Sequence, residues 1–481
     1  MSYAVQLQEL LPEIIVSLMA CAILVFDQTR LNRIPNLSLM LTLATLAVVC
    51  LLTGAQVYQE SVIVMDGMFV DDGFSNLSKF MISLIAIVVF AYSKAYSVDR
   101  GVNRTEYYVL GLFGVLGMMV MVSADHLLVL YLGLELMSLC MYAMVAFQRD
   151  SSTATEAAMK YFVLGAIGSG SLLYGLSILY GLTGTLDISE LQVLLSAMSG
   201  DSLPLVFALV FVVTALAFKL GAAPFHMWVP DVYHGAPTCT TIYLGTIPKI
   251  AAFAMLIRLL IGALDSLLPV WQDMLIIIAL LSIIVGNVLA IAQTNLKRML
   301  AYSTIAHMGY MLLGILSGTD EGYSASLFYV LVYAVMSLGA FGIILISAQK
   351  HDEQDLISDY SGLNGRDPWM AFWLLLLMFS MAGVPPTVGF YAKLSVIQAL
   401  VDANLVWVAV IAVVFAVVGA FYYLRVIKTV YFDELEDKPN AVTAMPGMRT
   451  ILGVNAIVLV AILPWVGDVI AICQTAIASL G

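Results

Sequence analysis

Long apolar blocks separated by short polar loops run the length of the chain, as in Leu205–Phe218 and Met274–Ile291. A helix that crosses the hydrocarbon core needs roughly 20 mostly apolar residues. Such blocks fall near 8–26, 37–55, 75–93, 106–123, 127–147, 157–182, 204–229, 238–262, 274–294, 299–317, 325–347, 369–400, 405–430 and 450–472. The pattern predicts an all-α polytopic membrane protein of about fourteen transmembrane helices. It leaves almost nothing for a soluble domain, so 1–481 reads as one membrane domain. No segment reads as a credible strand. The first span is not expected to be a cleaved signal peptide, because Glu9 and Glu13 precede or enter it and no basic n-region exists.

Two of these spans are overlong and interrupted. The seventh contains FKLGAAPFHMWVPDVYHGAPT, with Pro224 inside it and Pro230 and Pro237 expected to end it. The twelfth contains FSMAGVPPTVGFYAKLSV, with Gly383, Pro385, Pro386 and Gly389 in its middle. Proline lacks the amide donor and clashes with the preceding turn, so each should be a discontinuous helix. In lipid the freed backbone groups must find partners in protein or trapped water. Broken helices at matching places in two halves point to a transport site at an inverted repeat. YFVLGAIGSGSLLYGLSIL, from Tyr161, and FYVLVYAVMSLGAFGIILI, from Phe328, add a weak internal likeness. The expected organisation is flanking helices 1–3 over 1–105, a five-helix repeat (helices 4–8) over 106–262 and an inverted one (helices 9–13) over 274–430. A C-terminal helix over 450–472 completes it. The broken helix is fourth in each repeat.

Composition agrees with a membrane: 62% of residues are hydrophobic and 11% charged, against about a quarter charged in soluble domains. The net charge of −12 matters less than its distribution. Of 20 Lys and Arg, one group occupies alternate loops or their edges: Arg30, Arg33, Lys94, Arg100, Arg104, Arg149, Lys297, Arg298, Lys350, Arg366, Arg425, Lys428, Lys438 and Arg449. The intervening loops carry Glu60, Asp66, Asp71, Asp187, Glu190, Asp320, Glu321 and Asp402. The positive-inside rule makes the basic loops cytoplasmic, which sets both termini on the periplasmic side. Lys79 and Arg258 fall at outer helix ends, where long side chains snorkel to the interface. That leaves Lys160, Lys219, Lys249 and Lys393 within spans. Cys21, Cys50, Cys140, Cys239 and Cys473 have no CxxC spacing and read as apolar packing residues. The five histidines lack metal-ligand spacing. No metal, no electron-carrying cofactor and no nucleic-acid partner are expected.

A charge at mid-bilayer costs about 2.5–3.5 kcal/mol on insertion scales, so each one needs a reason. Glu135 lies mid-way along helix five, Lys219 just before the break in helix seven, and Lys249 near the centre of helix eight. His307 is central in helix ten, and Lys393 follows the break in helix twelve. Two unit charges about 4 Å apart interact by roughly 4 kcal/mol at an effective dielectric near 20. Moving Glu135 towards or away from Lys219 would then switch that lysine between holding and releasing a proton. Lys249 and His307 would relay the proton to Lys393 through water. The bland alternatives are a static Glu135–Lys219 pair, a satisfied core His307 beside Ser303, Thr304 and Tyr310, and a snorkelling Lys160. His226 and Asp231, around Trp228, are expected to stabilise the end of helix seven; with Lys160 they are accessory candidates.

At these residues the sequence resembles the antiporter-like subunits of proton-pumping NADH:quinone oxidoreductase, respiratory complex I. LYLGLELMSL, AFKLGAAPFHMWVPDVYHGAPT, QTNLKRMLAYSTIAHMGYML and MAGVPPTVGFYAKLSV carry the likeness, in order from helix five to helix twelve. The DVYHGAPT wording and a lysine at position 393 point to one paralogue branch of that family. The resemblance implies two inverted five-helix bundles with flanking helices. It also implies proton translocation by Glu135, Lys219, Lys249 and Lys393, with His307 in a connecting polar axis. The least regular match is CTTIYLGTIPK, where Pro248 is expected to bend helix eight and shift Lys249. FMN, iron–sulfur clusters, NADH and quinone would sit on other subunits, whose redox chemistry drives this translocase subunit. Its partners would be other membrane-arm subunits, including antiporter-like paralogues, in a bacterial inner membrane. A subunit of a multi-subunit cation/proton antiporter is the rival reading, and a structural scaffold the third.

Overall fold

A computed structural model describes residues 3–29, 34–198, 202–348, 353–434 and 446–480. Arg30, Arg33, Lys350 and Lys438 of the basic loops lie outside the described residues. The helices follow the apolar blocks. First come α1 (Leu11–Asp27), α2 (Leu37–Gln56), α3 (Gly73–Asp99) and α4 (Thr105–Val122). Next are α5 (Leu127–Val145), α6 (Ser152–Thr183), the short α7 (Ile188–Ser196) and α8 (Leu203–Leu220). Three short pieces follow: α9 (Trp228–Gly235), α10 (Thr238–Leu244) and α11 (Ile247–Ile257). Then come α12 (Leu268–Ile291), α13 (Leu296–Ile315), α14 (Asp320–Ser347) and α15 (Pro368–Ala382). The chain closes with α16 (Val388–Asp402), α17 (Val406–Phe432), α18 (Pro446–Ala461) and α19 (Val466–Ala478).

Among the described residues ten helices are long and apolar enough to cross a membrane, and up to eleven if the α18–α19 pair counts as one span. That pair departs from the single C-terminal helix expected over 450–472. Pro464, in the turn Leu463–Trp465, cannot donate an amide, and the chain bends there by 48°. A second departure is an antiparallel hairpin, β1 (Val62–Val64) and β2 (Phe69–Asp71), with Val62 opposite Asp71. Three-residue strands are too short to print an alternating pattern, so the sequence reads as loop. Pro230 is a third: it does not end a helix but lies in the first turn of α9, where a missing amide costs nothing.

Lipid is as apolar as leucine, so helices associate by close packing, with small residues at the contacts. α4 meets α5 at two glycines: a Cβ on Gly133 would lie 2.7 Å from the Gly117 carbonyl oxygen. α12 meets α13 in the same manner, with a Cβ on Gly286 only 2.6 Å from the Ala306 amide. α14 and the α10–α11 segment form the centre, and α2 and α17 the rim.

A short backbone exchange also occurs twice. His126, which caps α5, pairs with Asp187 beyond α6. There the Leu127 amide donates to the Leu186 carbonyl (2.8 Å) and the Ile188 amide to that of Asp125 (2.9 Å). Asn295, which caps α13, pairs with Leu356 beyond α14. The Leu296 amide donates to the Asp355 carbonyl (2.6 Å) and the Ile357 amide to that of Thr294 (3.0 Å). Each pair closes over the same stretch of 61 residues, 126 to 187 and 295 to 356.

Candidate functional site

Two interrupted helices organise the interior. α8 ends at Gly221 and α15 at Gly383, both left-handed, with φ of 77° and 81°. In each, the amide after the glycine reaches back to the last turn: Ala222 to the Ala217 carbonyl (2.8 Å), Val384 to that of Phe379 (3.0 Å). This is the glycine-terminated helix end that reclaims orphan carbonyls. Pro224 and the Pro385–Pro386 pair follow, with Ala223–Pro224 and Pro385–Pro386 as cis peptides. The helices resume as α9 and α16.

A lysine ammonium is docked on the carbonyls at each break. Lys249, only 1% exposed, donates to the Leu220 carbonyl at 2.9 Å. Lys393, 9% exposed, donates to those of Met381 (3.1 Å) and Ala382 (2.9 Å). The C-terminal end of a helix carries partial negative charge, so it suits a cation. Aromatic faces add to this: Lys249 Nζ lies 5.2 Å from the Trp228 ring centre and Lys393 Nζ 5.1 Å from that of Tyr310. Pro248 does interrupt the eighth span, separating α10 from α11 at Gly245 and Thr246. The two backbone acceptors freed there are taken by hydroxyls, Leu244 by Tyr233 (3.2 Å) and Gly245 by Ser337 (3.1 Å).

Lys219 is held otherwise. Its ammonium donates to Ser138 Oγ on α5 (3.0 Å) and Ser169 Oγ on α6 (3.1 Å). Glu135 lies three residues before Ser138 on α5, half-buried, and its Oε1 has no hydrogen-bond partner. Among the described residues no ion pair within 4.0 Å joins Glu135 to Lys219.

Between the lysines runs a buried polar array. His307 Nδ1 is 2.7 Å from the Tyr329 hydroxyl and Nε2 is 3.1 Å from that of Tyr423. Tyr423 also contacts Ser303, and the Tyr333 hydroxyl donates to Thr304 Oγ1 at 2.8 Å. Ser337, which bonds the Gly245 carbonyl, lies 3.4 Å from the Tyr333 hydroxyl. The Ser337–Tyr333–Thr304 string thus starts four residues before Lys249, and the Tyr333 ring centre lies 5.2 Å from that of His307; Tyr310, one turn further along α13, carries Lys393 on its ring. The accessory candidates are peripheral. Lys160 pairs with Glu156 (3.0 Å) and Asp231 (2.8 Å), and Arg298 with Asp231 (3.0 Å), which ties α6, α9 and α13 together. His226 is half-buried in the break after α8, with Nδ1 unpartnered.

The structure corrects the two snorkelling assignments. Lys79 is fully buried, 2.8 Å from Glu13 Oε1 and 3.8 Å from Asp71 Oδ1. Arg258 is buried against Asp72 Oδ2 at 2.7 Å, and its Nε donates to the Val122 carbonyl. Both charges are close to helix ends along the chain, but α1 and the hairpin fold over them. Glu13, inside an apolar run, was the available signal for Lys79. Cys21 is exposed, unlike the four buried cysteines. Sequence reading also passed over Glu353, which accepts from Tyr96 (2.8 Å) and Thr238 (2.7 Å) and pairs with Arg100 (3.2 Å). Burial pushes its carboxyl up, but Lys297, Thr238, Arg100 and Tyr96 outweigh that and hold it below the usual range.

Residues 124–419 match the family described as NADH:quinone oxidoreductase/Mrp antiporter, transmembrane. NADH-quinone oxidoreductase subunit N of Thioalkalivibrio sulfidiphilus is 55% identical over 451 residues, 94% of each chain. A chain of respiratory complex I from Thermus thermophilus superposes with a TM-score of 0.82 at 30% identity, covering 96% of this chain and 98% of its own. A chain of the Mrp complex from Dietzia sp. reaches a TM-score of 0.87 at 21% identity over 98% and 97%, which is a likeness of fold alone.

Proposed function

The chain belongs to the subunit N family of NADH-quinone oxidoreductase, antiporter-like subunits of the membrane arm of complex I, and from that premise we propose that it moves protons through Glu135, Lys219, Lys249, His307 and Lys393. The observation that carries the proposal is the pair of lysine ammoniums docked on broken-helix carbonyls at either end of a buried hydroxyl–imidazole array. Each lysine has a neutralising but uncharged cradle, so it can lose or gain a proton without stranding a fixed counter-charge. Lys219 exchanges with Lys249, and the proton crosses by Ser337, Tyr333, Thr304 and His307 to Lys393, with water filling the gaps between hydroxyls. The chain holds no redox centre in this reading; NADH oxidation and quinone reduction on partner subunits supply the energy, and a change of field at Glu135 passes it on.

Fourteen spans follow if α1, α13, the broken α15–α16 pair and the bent α18–α19 pair each count as one. Two inverted five-helix repeats over 106–262 and 274–430 are supported by the matched glycine contacts, the matched backbone exchanges and the matched helix ends. The basic loops face the cytoplasm and both termini the periplasm of a bacterial inner membrane. The test uses the whole complex in membranes carrying Lys249→Ala or Lys393→Ala. NADH-driven proton pumping should fall while assembly persists. An assembled variant with unchanged protons pumped per NADH would sink the relay.

A further inference from the structure

A cavity of about 580 Å3 opens on the face of the basic loops, between the α3–α4 and α5–α6 turns. The relay proposed above makes no use of it. Three guanidiniums line it, those of Arg100, Arg104 and Arg149, together with the carboxylates of Asp150 and Glu353. The carboxylates do not cancel the cations. Glu353 is engaged from the protein side: Tyr96 donates to it at 2.8 Å, Thr238 at 2.7 Å, and the buried Lys297 attracts it as well. The three guanidiniums therefore face Asp150 alone. Arg100 is fixed in place, 3.2 Å from Glu353 and with its guanidinium 5.6 Å from the Tyr96 ring centre. The side chains of Arg104 and Arg149 are exposed and enter no hydrogen bond or ion pair among the described residues. Arg104 and Ser151 are also the caps of α4 and α6, so two helix starts add partial positive charge at the rim. Guanidinium forks match the oxygens of a phosphate group.

The level of the cavity decides which phosphate. α3 and α5 end there and α4 and α6 begin there, so it lies where the apolar spans give way to water. Phospholipid headgroups occupy that level of a bilayer. Val102 and Phe147 add an apolar flank, which suits a glycerol backbone better than a free ion. A zwitterionic headgroup would bring an ammonium into the cluster of guanidiniums, which disfavours it. We propose that the cavity binds the phosphate headgroup of an anionic phospholipid from the basic-loop leaflet, seated on Arg100 and embraced by Arg104 and Arg149. The bound lipid bridges the α3–α4 and α5–α6 turns. Inorganic phosphate shares the chemistry but lacks the anchor in the bilayer. The site is separate from the relay and stands or falls without it.

The experiment uses the assembled complex in phosphatidylcholine vesicles carrying a trace of phosphatidylglycerol with a photoreactive headgroup. After irradiation, labelled peptides are located by mass spectrometry. Label should fall on residues 100–104 and 147–151, and unlabelled phosphatidylglycerol should displace it while inorganic phosphate does not. Arg104→Gln/Arg149→Gln should weaken binding by about 30-fold, which is about 2 kcal/mol at about 1 kcal/mol per cation. Should that variant fail to assemble, Gln148→Glu, which brings a carboxylate into the cavity, replaces it with a loss in the same direction. Displacement by inorganic phosphate as readily as by lipid would assign the site to a soluble anion and overturn the proposal. Equal labelling by a phosphatidylcholine probe, or unchanged labelling in the variant, would overturn it too. So would the absence of label from these turns; a crosslink from them to a neighbouring subunit would then identify a protein interface in its place.

Discussion

Lys79 lies on α3 with no exposed surface, 2.8 Å from Glu13 on α1 and 3.8 Å from Asp71 on the hairpin. At an effective dielectric near 20 those separations correspond to gross attractions of about 6 and about 4 kcal/mol. Most of that offsets the cost of taking the charges out of water. What an experiment reads is the residue left when one partner goes, about 3–5 kcal/mol for a broken buried pair. The two single substitutions should differ. Lys79→Met strands two carboxylates and belongs at the upper end, whereas Glu13→Gln leaves the ammonium with Asp71 and belongs at the lower. Glu13→Gln/Lys79→Met removes both charges and should recover part of the loss, with a coupling of about 1–3 kcal/mol. The assay is the midpoint temperature for inactivation of NADH:quinone reductase in the solubilised complex, together with the amount assembled. Small additive effects of about 0–1 kcal/mol, as exposed ion pairs give, would refute the buried-pair account.

The remaining expectations concern the relay itself. Gly383→Ala sets a Cβ 2.8 Å from Lys393 Cδ at a φ of 81°, so it should unseat the lysine and lower pumping while electron transfer in uncoupled membranes continues; normal pumping would falsify the docked geometry. At Glu135, Asp should retain more pumping than Gln, because a charge within reach of the Lys219–Ser138 pair is what matters. Equal loss in both variants would point to shape instead, and the readout is again protons pumped per NADH.

The helical blocks were legible because lipid demands one long apolar run per crossing, and the breaks because Pro224 and the Pro385–Pro386 pair can neither donate nor pack within a helix. What the letters could not convey were contacts made across many residues. Lys249 meets the end of α8 across 29 positions, and its cradle depends on the Schellman-type turn at Gly221. For Lys79 and Arg258, distance along the chain to a helix end is the wrong measure of exposure, because α1 and a hairpin lie over that end. Glu13 is the legible half of the Lys79 contact, since an acid in an apolar run asks for a cation. Glu135 and Lys219 read from sequence as a switchable pair, whereas in the structure the Lys219 ammonium donates to Ser138 and Ser169. Two polar serines at spacings compatible with that bridge were visible, but nothing local distinguished them from packing residues.

The lysines on the broken helices act as stoppers. While Lys249 or Lys393 is seated, the carbonyls at its break are satisfied without solvent. Withdrawing the ammonium bares those oxygens in a medium where an unmet acceptor costs on the order of 1–3 kcal/mol. Water must therefore come in as the lysine goes out. In the proposed relay, wetting of each break and displacement of its charge become one event rather than two.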